Sequence, residues 1–401
     1  MKISILSSSL ANNCFGRAYI LAKALARRYE VEIIGPTFGK EIWRPCQTGE
    51  FSIRALRERT PMDFVRSIRP ILRKIDGDVV YAVKPLMASF GIALAKRREA
   101  STPIVLDIDD WQPGFTTEAK GQFDINRVRS RISGFRTSPN SYYWVRLMER
   151  LIPYADDITT VSSFFQRRYG TRAVLVPHGR DASLFDPRRY DRNEIRIRLG
   201  LENKKIISFL GTPKPHKGIG DIVDAVRRLD RKDVRVLVIG VLDDDPFMQK
   251  LVFENGQFVI PIGMVSFQDV PKYLSASDLV VLPQKDESKT TGQIPAKLID
   301  AMAMGKPIIA TDVSDIASIL DGCGIIVGSG QVSQISEQID TLLVDHKLAE
   351  DLGHKARTKF LREFSLDAME AQLLKVFEPY ANSCMETKRS ISVDRKSRLI
   401  H

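Results

Sequence analysis

Short apolar runs alternate with stretches of helical periodicity along this chain, and the alternation occurs twice. In the first half the runs are KISILSSS, YEVEIIGP, DVVYAVKP, PIVLDIDD, DDITTVSS and AVLVPHG. Between them, GRAYILAKALARRY places Leu21, Ala24, Leu25 and Arg28 at helical spacing, and PMDFVRSIRPILRKI reads as a helix interrupted near Pro70. The second half repeats the plan with KIISFLG, VRVLVIG, FVIPIG, LVVLPQ, KPIIATD and CGIIVGS, separated by helical stretches around 218–229, 269–277, 295–304 and 314–320. Such βαβ alternation predicts parallel sheets covered on both faces. The expected fold is therefore α/β, with two Rossmann-like, doubly wound domains facing across a cleft. The boundaries read as 1–185 and 186–365, with the polar stretch FDPRRYDRNEIRIRLGLENKK as the hinge. A helix over 366–382 is expected to pack back on the first domain, ahead of a basic, disordered tail at 383–401. Ligands of such sheets sit beyond the carboxyl ends of the strands, so both domains would offer loops to one cleft.

Composition narrows the partners. The 401 residues contain 43% hydrophobic and 27% charged side chains, as in a soluble globular protein. No uninterrupted apolar stretch is long enough to span a bilayer. MKISILSSSLANNC reads as a first strand rather than a leader, which makes the cytoplasm the expected compartment. Cys14, Cys46, Cys323 and Cys384 lie far apart without a CxxC spacing, which argues against structural zinc and a disulfide framework. Sixty Lys and Arg against 49 Asp and Glu give a net charge of +11, which favours anionic partners. Much of that excess lies in NRVRSRISGFRTSPNSYYWVRLMERL and in the tail. A nucleic-acid-binding protein is disfavoured, because no aromatic-interleaved RNA motif or helix-turn-helix signal appears. The basic segment and WQPGFTTEAKGQF are instead expected to contact an acceptor, or an anionic membrane at its inner face.

Two stretches carry chemistry. In GTPKPHKGIGDIVDAVRRL, residues 211–229, a strand ends in a Gly-rich turn with Lys214 and Lys217 and then opens a helix. Those lysines are either solvated surface or phosphate ligands, and a turn at a parallel sheet's carboxyl edge favours phosphate. In TTGQIPAKLIDAMAMGKPIIATD, residues 290–312, Pro295 suits the first helical position and Gly305 the stop. The free amides there offer an anion or hydroxyl site. Asp300 either pairs with Lys297 on the surface or faces the cleft and accepts hydrogen bonds from sugar hydroxyls. His178 in VPHGRD reads as a structural cap, and His216 as a solvated turn residue.

Taken with VPHGRDASLFDP, VLVIG, GMVSFQDVPKYLSASDLVVLPQ and GIIVGSG, these stretches resemble glycosyltransferase family 4, enzymes of the GT-B fold. The resemblance covers about residues 155 to 380 most closely, and PIVLDIDDW in the first half. It implies retaining transfer of a sugar from a UDP- or GDP-type sugar nucleotide to a glycan, lipid-linked or small-molecule acceptor, without a metal or other cofactor. It also implies catalytic roles for Lys217, Lys214 and Asp109. Gly211, Lys214, Lys217, Gly263, Gln293, Ile294, Pro295 and Asp300 would hold the donor, and Gly16, Asp110 and Trp111 the acceptor side. Lys217 matches the family's phosphate-binding lysine, whereas Thr212 stands where many members carry an arginine. Gly292 replaces the first of two glutamates, Asp300 matches the second, and Asp109 occupies a histidine position.

Competing readings keep the sugar nucleotide but add a divalent ion at Asp107 and Asp109 or at Asp243 to Asp245, or make the chain a sugar-nucleotide epimerase. A different class would be a basic protein that binds membranes or nucleic acid without catalysis.

Overall fold

A computed structural model of the chain describes residues 1–56, 61–116, 141–242 and 244–397. Its strands form two sheets, parallel throughout. Lys2–Ser7 (β1), Glu30–Pro36 (β2), Ser52–Leu56 (β3), Val79–Val83 (β4), Ile104–Ile108 (β5), Asp157–Thr160 (β6) and Ala173–Leu175 (β7) lie in the order β3-β2-β1-β4-β5-β6-β7. Lys205–Leu210 (β8), Val234–Val241 (β9), Val259–Gly263 (β10), Leu279–Leu282 (β11), Ile308–Thr311 (β12) and Ile325–Val327 (β13) follow the order β10-β9-β8-β11-β12-β13. Each order reverses beside its first strand, at β1/β4 and at β8/β11. Those reversals are where open parallel sheets bind ligands.

The central strands are buried on both faces, and their composition follows from that. Every residue of β4 (VVYAV), β5 (IVLDI), β11 (LVVL) and β12 (IIAT) is buried, the near-continuous apolar pattern of a covered parallel sheet. Period two then sorts side chains between layers. Ile206 and Leu210 pack with Leu298 and Met302 of helix Ala296–Ala303 on one face. Ile207 and Phe209 pack with Ile222 and Val226 of helix Ile219–Leu229 on the other. Each such side chain stabilises the fold by about 1.5–3 kcal/mol on burial.

The structure differs from the sequence reading in four places. FSIRAL contains β3, whose half-exposed edge position left a mixed pattern rather than an apolar run. Helix Pro61–Lys74 continues through Pro70, giving up one backbone bond rather than ending. The stretch assigned to the hinge belongs to the second domain: Phe185, Ile195 and Leu201 enter its core, and Asp191 and Gly200 cap a helix, Arg192–Leu199, within it. The chain crosses earlier, where Val176 still packs in the first core and Arg180 bridges to Ser365 on the returning strand of chain. The last helix, Leu366–Ser397, lays Met369, Leu373, Val376 and Phe377 against the first core. It does not stop at 382, because neither glycine nor proline follows Pro379 before Ser397. The basic stretch 127–140 and the final four residues lie outside the described residues. No described helix is long and apolar enough to cross a membrane.

Candidate active site

One cavity opens between the carboxyl ends of both sheets. Gly16, Arg17, Trp43, Lys84, Asp109, Asp110 and His178 line it from the first domain, and Gly211, Thr212, Lys217, Gln284, Gln293, Ile294, Pro295, Lys297 and Asp300 from the second.

The second-domain floor is bare backbone. Gly211 after β8 and Gly240 in β9 both hold positive φ, +91° and +100°, and a Cβ on Gly240 would stand 3.3 Å from the Gly211 backbone. Pro215–Lys217 then makes a single 3₁₀ turn. Gly218 closes it at φ +76°, where a Cβ would lie 1.8 Å from the Pro283 carbonyl oxygen. Only glycine lets the turn press so closely against the end of β11. Lys217 Nζ donates to the Thr212 carbonyl at 2.8 Å. Burial pulls its pKa down to about 8, with Asp110 opposing and Lys214 adding to the fall.

Lys214 does not line the cavity. Its half-exposed ammonium turns 3.5 Å towards Asp245, the carboxylate that caps helix Pro246–Asn255. Gly263 also stays outside, although Met264 and Val265 after it reach the cavity. Trp111 packs against the first core with its indole nitrogen buried, and it too is absent from the cavity wall.

Helix Ala296–Ala303 is capped by Pro295 and carries Asp300 into the cavity wall. Neither sequence alternative describes Asp300 fully: its Oδ1 accepts from Arg180 Nε, and Lys297 takes no part. Burial raises the Asp300 pKa against the pull of Arg180. Arg180 itself lies with its guanidinium 5.6 Å above the Phe267 ring. Gly292, the position without a glutamate, leaves no room for one. A Cβ there would stand 2.6 Å from Phe164 and 2.8 Å from Phe165 of helix Ser163–Tyr169.

The first-domain wall is an ion network built on the ends of β4 and β5. Lys84 is buried at φ +71°, an uncommon conformation for a residue with a Cβ. Its Nζ donates to Asp109 Oδ1 at 2.6 Å and also to Asp110 Oδ2. Burial raises the Asp109 pKa to about 6 despite Lys84, with Asp110 and Asp107 raising it further. Burial opposes ionisation of Asp110 too, but Lys84 and the Gln293 amide outweigh it and hold that pKa low. Gln293 Nε2 reaches Asp110 Oδ1 across the cleft at 2.5 Å. Behind them Asp107 is fully buried and gripped by Arg17 through bonds of 3.0 and 2.8 Å. Burial keeps His178 well below its usual pKa, helped by Arg17 and Arg180, so a neutral imidazole lines the cavity. The sequence reading of His178 as a structural cap did not foresee this place in the cavity wall. Gly16 lets the cleft floor meet Trp43, 3.2 Å from where its Cβ would be.

Both halves match known families. Residues 17–184 match the sequence model described as Glycosyltransferase Family 4, and residues 204–345 the one described as Glycosyl transferases group 1. The chain belongs to glycosyltransferase family 4. Among its relatives, alpha-D-kanosaminyltransferase of Streptomyces kanamyceticus is 27% identical over 46% of this chain and 48% of its own. The MMP alpha-(1->4)-mannosyltransferase of Mycolicibacterium hassiacum is 26% identical over 59% of this chain and 57% of its own. The matches thus span about half the length of these curated relatives. Anabaena HepE in complex with UDP-glucose superposes with a TM-score of 0.72 at 15% identity, covering 94% of this chain and all of that one. Sucrose-phosphate synthase of Thermosynechococcus elongatus gives 0.70 at 16% identity, over 96% and 100% of the two chains. The two parallel sheets and these neighbours make the fold GT-B.

In this family 4 glycosyltransferase, sequence reasoning missed Lys84, Arg180, Arg17 and Gln284. For Lys84 a signal existed, a lysine ending the all-apolar strand VVYAV. Nothing local distinguishes Arg180 from the other arginines, since its partner is 120 residues away.

Proposed function

We propose that the protein transfers a sugar from a nucleoside diphosphate sugar of the UDP or GDP type to a glycan, lipid-linked or small-molecule hydroxyl, with retention of configuration. The observation that carries this reading is Lys217. Its desolvated ammonium hangs beside a floor of glycine backbone at the carboxyl edge of the second sheet, with the Thr212 carbonyl as its hydrogen-bond partner among the described residues. The names of the relatives, a kanosaminyltransferase and a mannosyltransferase, and the UDP-glucose held by HepE support the same donor class.

In the reaction the bond from the anomeric carbon to the diphosphate oxygen breaks, and its electron pair stays on the leaving group. The acceptor oxygen bonds to the same carbon, and its proton passes to a phosphate oxygen. Charge grows on the diphosphate as the bond breaks, so Lys217 stabilises the transition state more than the bound donor. Retention fits a wall whose carboxylates are committed: Asp109 and Asp110 to Lys84, and Asp300 to Arg180. Each therefore orients hydroxyls rather than attacking the sugar. Lysine supplies the countercharge in place of a divalent ion, and both acids of the Asp107–Asp109 spacing are bonded to protein cations.

The test is nucleotide release from a panel of sugar nucleotides, with and without chelator. On the best donor, Lys217→Ala should lower turnover by about a hundredfold or more, the scale of one lost preorganised donor, and Lys217→Arg should recover part. Turnover by Lys217→Ala equal to the parent's would remove the reading. Activity lost to chelator and restored by manganese would replace lysine with a metal.

A further inference from the structure

Lys297 occupies the first turn of helix Ala296–Ala303 and lines the same cavity as Lys217. Its Nζ is buried, lies 3.7 Å from the centre of the Phe209 ring, and has no hydrogen-bond partner among the described residues. Gln284, just past β11, also lines the cavity, and its side-chain Nε2 is likewise buried and unpartnered. An ammonium carries three donors, and leaving all of them unmet away from water is costly. Two donors from separate elements therefore wait for acceptors in one place.

The charges of the cavity point to the chemistry of such an acceptor. Asp109 and Asp110 are taken by Lys84, and Asp300 by Arg180. Asp107 is taken by Arg17. Lys214 faces Asp245 outside the cavity. Among the described residues Lys217 and Lys297 are left as two amines without a carboxylate of their own, and the charge of Lys217 opposes one on Lys297. The diphosphate of a sugar nucleotide, esterified at both ends, carries two negative charges.

We propose that Lys297 is a second ligand of the donor's diphosphate, matching Lys217 from the opposite element, with the Gln284 amide donating beside it. This rests on the sugar-nucleotide reading above and adds the residue that completes its charge balance. It also explains how the turn manages with Thr212 and an outward Lys214: the second cation comes from the helix instead. Burial, and then Lys217, hold Lys297 well below its usual pKa. Around it stand Lys217 from the turn, Asp109, Asp110 and Lys84 from the first domain, and Arg180, His178 and Asp300 from the crossing and the helix. A donor bringing two negative charges raises that pKa, so binding draws a proton from solvent.

The experiment is calorimetric titration of the full chain with UDP and with GDP near neutral pH, in two buffers of different ionisation enthalpy. Lys297→Met keeps the stem over Phe209 and removes the charge. It should bind the preferred nucleotide about 10- to 100-fold more weakly, the scale of a lost charged hydrogen bond, and take up about one proton fewer than the parent. The nucleotide's own proton cancels in that difference. Lys297→Arg, always charged, should regain part of the affinity without proton uptake. It also serves if the methionine variant does not fold. A Lys297→Met protein that binds within twofold of the parent and takes up as many protons overturns the assignment alone. A parent that binds neither nucleotide overturns the donor reading and this inference together.

Discussion

Lys217 and Asp109 face each other's domains across the cleft with pKa values displaced in opposite directions by the same cause, loss of water. Lys217 falls to about 8 and Asp109 rises to about 6. In the free enzyme Lys217 carries its charge only below about pH 8, and above it the donor meets a neutral amine. Asp109 is ionised only above about pH 6, and below it the ion pair with Lys84 is lost. The donor kcat/KM should therefore rise through about pH 6 and fall through about pH 8. Lys217→Arg should abolish the alkaline limb, because guanidinium does not titrate there. A kcat/KM profile that stays level across the alkaline range in the parent would exclude Lys217 from donor capture. At this scale the sequence marked Lys217 as a candidate because its turn lies between a strand and a helix, where a parallel sheet can hold phosphate, although a solvated lysine was the alternative. Lys84 and Arg180 had no such frame, since their roles depend on carboxylates that only folding brings near.

Among the elements, the turn between β8 and helix Ile219–Leu229 is the most constrained. Gly218 combines left-handed backbone with a carbonyl 1.8 Å from any Cβ, so Gly218→Ala must move the turn rather than a flexible side chain. The expected cost is about 1–3 kcal/mol of stability for the strained conformation, read by denaturant unfolding. Donor turnover should fall further, by up to about a hundredfold for a displaced binding group. Full activity in that variant would show that the turn's position does not set the chemistry. Helix Ala296–Ala303 shows the complementary case. Its start at Pro295 and its end near Gly305 were legible from local rules, but the direction of each side chain was not. Helical spacing placed Lys297 and Asp300 on one face as potential partners, yet burial against Phe209 takes one and Arg180 the other.

Across the whole molecule, the domains are joined by more than the chain. Ser163 donates through its amide and hydroxyl to Asp315, Gln293 reaches Asp110, and Phe267 stacks on Tyr19 while meeting Trp43 edge-on. The Arg180–Asp300 pair ties the crossing segment to helix Ala296–Ala303. From sequence, Asp300→Ala should harm nucleotide binding more than folding, but the pair changes that balance. Removing the carboxylate strands a buried guanidinium, a change that costs about 3–5 kcal/mol. Asp300→Ala should thus lower the melting temperature markedly as well as weaken nucleotide binding, with Asp300→Asn milder on both counts. Calorimetry and nucleotide titration on the same preparations check this. An unchanged melting temperature would mean that the pair contributes little to the fold.

What the sequence determined by itself was the tandem sheet plan and the backbone chemistry of the Gly-rich turn after β8. Apolar periodicity, glycine and proline act over a few neighbouring residues, so strands such as VRVLVIG and the Gly211–Gly218 turn could be read directly. The edge strand β3 escaped because an exposed edge does not demand an apolar run. Tertiary structure alone decided which charges are free. Arg17 with Asp107, Lys84 with Asp109 and Asp110, and Arg180 with Asp300 are separated by 90, 25, 26 and 120 residues along the chain. Electrostatic pairing depends on distance in space and on exclusion of water, and neither is encoded locally. That is why Lys214, equal to Lys217 in the sequence, turned outward, and why Lys297 lies in the cleft without a carboxylate or hydrogen-bond partner among the described residues.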